Sequence, residues 1–203
     1  MTERIRCFAV PGNGGSAARW QRLRSELPDD LDLRPVTLPG FGGRPLATER
    51  PTIADFARWL REEVAADEEA GAGPTVVLGH GIGGSILLEA AQQGPVADGY
   101  LLHAPVGPFL GDRLFPRLMR PPVVREGARR LISGPVGRLL LRYRFDAEMA
   151  ADFARGYAEC AAFSVLFDLL DEGWFDALGP IDTPAVLLWG AGDRVLSEEH
   201  RHG

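Results

Sequence analysis

A chain of 203 residues, 45% hydrophobic and 25% charged, is long enough for one domain with a full core and has the composition of an ordinary folded protein. Its formal charge of −6 sets it apart from nucleic-acid binders, which need a clustered positive surface, so no nucleic-acid partner is expected. Cys7 and Cys160 are too few and too far apart for a disulfide framework, no signal-like stretch follows Met1, and no apolar run is long enough to span a bilayer, so a cytoplasmic location is expected.

In chain order, Ile5 to Val10 is a short apolar run stopped by Pro11-Gly12-Asn13-Gly14-Gly15, a buried strand entering a loop. Ser16 to Leu27 has helical spacing, and Leu31 to Leu38 is a second strand, closed by Pro39-Gly40-Phe41-Gly42-Gly43. Thr52 caps the next helix with Asp55 three places on. Ile53, Phe56, Leu60 and Val64 form its apolar stripe, and the acidic run Glu62 to Glu69 reads as its solvated end. Pro74 to Leu78 is a strand that Gly79-His80-Gly81-Ile82-Gly83-Gly84 turns directly into a helix, Ser85 to Gln93, and Tyr100 to Ala104 is another strand. Residues 105–178 break the alternation with apolar spacing that is helical throughout. Ala185 to Trp189 is a last strand, ending in Gly190-Ala191-Gly192-Asp193. Alternating strands and helices imply a parallel sheet covered on both faces, with a site at the carboxyl ends of its strands. The loop after Val10, the turn at Gly81 and the loop at Asp193 all fall at that edge. All 22 basic residues are arginine, which reads as base composition of the gene before any phosphate-binding role.

With the Gly-rich loop after the first strand, the Leu38-Pro39-Gly40-Phe41-Gly42-Gly43 turn, the elbow at 79–84, the helical insertion and Trp189-Gly190-Ala191-Gly192-Asp193-Arg194-Val195, the chain resembles an α/β-hydrolase over nearly its whole length. The resemblance implies a core of residues 1–104 and 179–203 with a helical cap at 105–178, C-terminally truncated. A tight strand-to-helix turn needs glycine at 79 and 83 for close approach and holds its tip residue in a strained conformation. In the family that tip is the nucleophilic serine. Here it is Gly81, which has no side chain to attack with, and Ser85, one helical turn on, reads as a packing hydroxyl.

By the same resemblance the main-chain N–H groups of Asn13 and Ile82 form an oxyanion hole, reinforced by the positive end of the helix beginning at Ile82. Asp193 takes the place of the triad acid. A base should follow by some tens of residues, and His200 and His202 follow too soon, so both read as tail residues. His80 beside the elbow and His103 at a strand end are candidate polar site residues. Phe115 and Phe163 are candidate substrate contacts from an insertion whose Leu110, Leu114, Phe115, Leu118, Met119, Leu139 to Leu141, Phe163, Leu166 and Phe167 carry more apolar surface than a lid needs. Cys160 is expected as a buried structural thiol on a helix of that insertion. No cofactor or metal is expected.

The expected lineage is a carboxylic ester or thioester hydrolase acting on an apolar ester, thioester or acyl ligand, with the opening Cys7 to Ser16 similar to type II thioesterases. Turnover as written is expected near background. The alternative is a non-catalytic pseudo-hydrolase that binds a small apolar ligand or a protein partner. Proton-transfer chemistry over the oxyanion hole, with His103 or Asp193 as base, ranks last.

Overall fold

The computed structural model describes residues 4–68, 73–106, 117–170 and 172–191. Five strands, β1 (Ile5–Val10), β2 (Leu31–Pro35), β3 (Thr75–His80), β4 (Gly99–His103) and β5 (Ala185–Leu188), form one sheet in the order β2-β1-β3-β4-β5 with every pairing parallel. The chain is α/β, a parallel sheet with helices packed on both faces, as the alternation of strands and helices implied. Proline in a strand requires an edge because it cannot donate to the ladder, and Pro35 ends β2 at the sheet margin. The second strand is shorter than the apolar run to Leu38 suggested, although the Val36 N–H still donates to Ala9 O at 2.9 Å.

The two faces of β1 sort its residues by the pleat. Phe8 and Val10 enter the main core with Phe56, Leu60 and Val64 of α2 (Ile53–Glu68) and Ile86, Leu87 and Ala90 of α3 (Ile82–Ala91). Cys7 and Ala9 face the other way, with Leu33 and Leu78, under Trp20 and Leu27. Those two residues flank α1 (Gln21–Glu26), which follows a 3₁₀ turn at Ala17–Trp20 where one longer helix was expected.

The start of α2 is a reciprocal capping box. The Asp55 N–H donates to Thr52 Oγ1 at 3.2 Å, and the Thr52 N–H donates to the Asp55 carboxylate at 2.9 Å. Its acidic end is not simply solvated. Asp67 pairs with Arg34 and, at 3.4 Å, with the buried Arg6 of β1, whose guanidinium also donates to Gly73 O and Thr75 Oγ1.

Between β4 and β5 lie α4 (Pro122–Ser133), α5 (Pro135–Leu141), α6 (Ala147–Ala158), a 3₁₀ turn at Val165–Asp168 and α7 (Glu172–Ala177). Part of this segment joins the main core through Cys160, Ala162, Phe163 and Leu166. Arg125 of α4, only 4% exposed, ties the segment together. Its guanidinium donates to the Met119, Arg120 and Ser164 carbonyls and to both oxygens of Asp168. Trp174 Nε1 of α7 donates to Glu89 of α3 at 2.7 Å. Not all the apolar surface of this segment packs: Met119, Phe163 and Leu166 are buried, whereas Leu118, Leu139 and Leu140 are exposed. At the far margin β5 also keeps Val186, Leu187 and Leu188 exposed. Among the described residues no helix is long and apolar enough to cross a membrane.

Candidate active site

The turn between β3 and α3 is the centre of the carboxyl edge of the sheet. Gly81 sits at φ 55° and ψ −123°, a left-handed φ that side chains rarely adopt, and it caps α3, which opens at Ile82. Main-chain bonds hold it there. The Gly81 N–H donates to His103 O at 3.1 Å, and Gly81 O accepts from the N–H groups of Gly84 (2.9 Å), Ser85 (3.4 Å) and Val106 (3.4 Å).

Close packing explains the surrounding glycines. A Cβ at Gly79 would lie 2.6 Å from Gly84 Cα, and one at Gly83 would lie 2.6 Å from Pro11 O and 2.8 Å from Val10 O. A Cβ at Gly81 would find only Gly12 Cα, at 3.7 Å, an ordinary contact. The elbow and the loop after β1 are therefore in direct apposition, with room at the tip for a side chain and none on either flank.

Of the sequence candidates, the structure brings together Gly81, Ile82, Asn13, His80 and His103. Among the described residues neither the Asn13 nor the Ile82 N–H donates to a backbone carbonyl outside the helix and strand ladders, as expected for the loop and for the first turn of a helix. Asn13 Oδ1 is buried without a hydrogen-bond partner. His80 and His103 are register partners at the ends of β3 and β4, with ring centroids 4.9 Å apart; a Cβ at Gly12 would strike His80 Nδ1 at 2.7 Å, and the His103 side is exposed. Ser85 is fully buried one turn inside α3, with its Oγ unpartnered, where no ligand reaches it. Phe163 lies in the core, edge-on to Tyr157 at 5.5 Å and to Phe167 at 5.4 Å, so packing accounts for its burial. Asp193, His200, His202 and Phe115 lie outside the described residues, as do Leu110 and Leu114.

Composition gave no reason to single out Arg19, which follows the Gly-rich loop. Its guanidinium lies 3.8 Å over the Phe153 ring and hydrogen-bonds Tyr157, while Nε and Nη2 are buried without partners. Burial lowers its pKa below the ordinary arginine value, and it makes no ion pair among the described residues. The only sequence signal was its place in the first turn after the loop. Helix α6 comes down on the same loop. A Cβ at Gly156 would overlap Gly14 O, and a Cβ at Gly14 would enter the Tyr157 ring at 2.6 Å.

Cys160 lies just past the end of α6 rather than on a helix. It is buried, and burial pushes its thiol up to about 11; Cys7 is likewise pushed up to about 11 by burial. Neither is a nucleophile at neutral pH. A cleft of about 520 Å³ opens between Arg44 and the α4 and α6 helices, but its Arg129 is already bound to Glu126 and to Ala158 O, and it does not include the elbow.

Residues 8–203 match the model of the alpha/beta hydrolase family. Similar solved structures include an esterase from Exiguobacterium antarcticum, with 14% identity over 100% of this chain and 79% of that one and a TM-score of 0.70. They also include YbtT, a type II thioesterase from the yersiniabactin biosynthetic pathway (24%, 98% and 78%, 0.62). The thioesterase RedJ of the prodiginine pathway in Streptomyces coelicolor is a third (22%, 97% and 70%, 0.58). At these identities the likeness is one of fold. No curated protein matches by sequence.

Proposed function

From the premise that this chain belongs to the alpha/beta hydrolase family, we propose that it is of carboxylic ester or thioester hydrolase lineage, binds an apolar acyl-type ligand and turns it over near background. The observation that carries this reading is Gly81 itself. Its backbone has the positive φ of a nucleophile elbow and faces the Gly-rich loop, yet it ends without an attacking atom. In the proposed arrangement the Asn13 and Ile82 N–H groups donate to an acyl oxygen, His80 and His103 line the polar flank, and Phe163 backs an apolar wall of a helical cap. Asp193 is proposed as the acid that would orient a base. The esterase and thioesterase neighbours support this choice of substrate class.

Losing the nucleophile of such a triad costs about 10⁶-fold in turnover, judged from subtilisin. The test compares the chain with its Gly81→Ser and Gly81→Ala variants on medium-chain p-nitrophenyl esters and acyl thioesters. Serine at 81 should raise turnover at least about a hundredfold over alanine, since an activated nucleophile is the missing part. The same frame with no attacking atom also supports the second reading, a pseudo-hydrolase that holds a small apolar ligand or a protein partner. A melting temperature raised by octanoate, with both variants inactive, would favour that reading. Silence in both assays would remove the site from either role.

A further inference from the structure

Helix α5 presents its apolar face to solvent. Val136, Leu139 and Leu140 lie at i, i+3 and i+4 on one stripe of α5, with Tyr143 in the turn just past its end, and they are 54, 59, 57 and 81% exposed. The backbone fixes that orientation. Gly137 is the only buried residue of α5, and a Cβ there would overlap the Leu131 and Ile132 carbonyls, so the helix is folded tightly back on α4 with its stripe outward. Leu131 and Val123 of α4 are exposed as well, at 53 and 78%. Contiguous exposure of this kind marks an interaction site rather than scattered surface residues.

The charge around the stripe is equally one-sided. Residues 117–144 hold eight arginines and one acid, Glu126; with Arg125 buried and paired to Asp168, the rest leave a local +6 in a chain whose total is −6. Glu126 is already bound by Arg129 at 2.8 Å and Arg130 at 2.7 Å. Arg138, Arg142 and Arg144 flank the stripe, exposed and without ion pairs among the described residues. Asp146, the next acid, caps α6 and pairs with Arg22.

We propose that the α4–α5 hairpin docks on an anionic lipid surface, with Leu139, Leu140 and Tyr143 entering the headgroup boundary and Arg138, Arg142 and Arg144 meeting lipid phosphates. The positive field selects a negatively charged occupant, and the shape selects lipid. The exposed stripe of α5 belongs to no cleft that a partner's side chains could fill among the described residues, whereas insertion into a fluid interface needs only exposed apolar residues with long cationic stems beside them. The inference does not depend on the hydrolase reading, because it involves no residue of the elbow.

Sedimentation with vesicles tests it on the intact chain. Phosphatidylcholine–phosphatidylglycerol vesicles should carry the protein down in a salt-sensitive manner, and vesicles of phosphatidylcholine alone should not. The Leu139→Glu/Leu140→Glu variant, altered only at exposed positions, should melt like the parent and bind at least about tenfold more weakly. Arg138→Gln and Arg142→Gln should each cost roughly fivefold. No binding to the anionic vesicles, equal binding to both compositions, or an unaffected double variant would overturn the proposal. So would a dimer seen by light scattering that the double variant dissociates, since the stripe would then belong to a second copy of the chain.

Discussion

Placing a side chain at position 81 separates space from backbone strain in a single measurement. The nearest atom to a Cβ there is Gly12 Cα at 3.7 Å, so no repacking is needed, and the cost reduces to holding a non-glycine residue at φ 55°. That conformation costs about 1–3 kcal/mol. For a chain of this length each kcal/mol lowers the melting temperature by roughly 2–4 °C, so Gly81→Ser should melt roughly 2–12 °C below the parent. Gly81→Ala carries the same backbone cost without the hydroxyl and should melt beside it. Gly83→Ala is the contrasting variant. Its Cβ would lie 2.6 Å from one main-chain carbonyl and 2.8 Å from another, neither of which can rotate away, so its cost should reach or exceed the upper end of the usual overpacking range of about 1–3 kcal/mol. Thermal unfolding of the three variants by circular dichroism is the assay. Equal losses at positions 81 and 83, or serine much worse than alanine at 81, would refute the open tip and tight flanks on which the site rests.

Ser85→Ala should be neutral or stabilising by about 1 kcal/mol in urea unfolding, because it removes a fully buried hydroxyl that has no partner. Built on Gly81→Ser, it should leave any restored turnover unchanged. Arg125→Met should cost about 2–3 kcal/mol by the same measurement, since it leaves several carbonyls and the Asp168 carboxylate without their charged donor. Cys7 and Cys160 should resist Ellman's reagent at pH 8 until the protein unfolds. Their folded pKa values are raised from 9.0 to about 11, so the stability they contribute is complete below about pH 9 and declines toward pH 11. The decline is at most about 1.4 kcal/mol per pH unit for each thiol. Unfolding at pH 8 and pH 10 checks this, and the Cys7→Ala/Cys160→Ala variant should flatten the difference.

The strands were legible because buried parallel strands are short apolar runs bounded by turn residues. β1 spans the residues expected, and β3, β4 and β5 differ by one or two at their ends. The elbow was legible because close approach demands glycine at 79 and 83, and the structure supplies the atoms that demand it. Helix α3 starts at Ile82, where the resemblance placed its positive end and three residues before the apolar run from Ser85; glycines at 83 and 84 lower helix propensity, and backbone bonding to Gly81 O offsets it. What stayed hidden depended on contacts between distant segments. The pairing of Arg6 and Arg34 with Asp67, the stacking of Arg19 on Phe153 and the descent of Gly156 onto Gly14 leave no local pattern. Periodicity shows that positions 136, 139, 140 and 143 share a face, but not whether that face looks inward.

Arg125 clasps the two ends of the segment that carries α5 and α6, with 38 residues between itself and Ser164. The segment is held a second time where it meets the body, with Gly156 against Gly14 O and the Gly43 N–H donating to Glu159 O at 3.0 Å. Asp168 faces solvent on the outer side of the clasp, its side chain 65% exposed. That carboxylate is reached from outside without touching a residue beside Gly81. The clasp of the helical segment and the wiring of the elbow are thus separate sets of bonds.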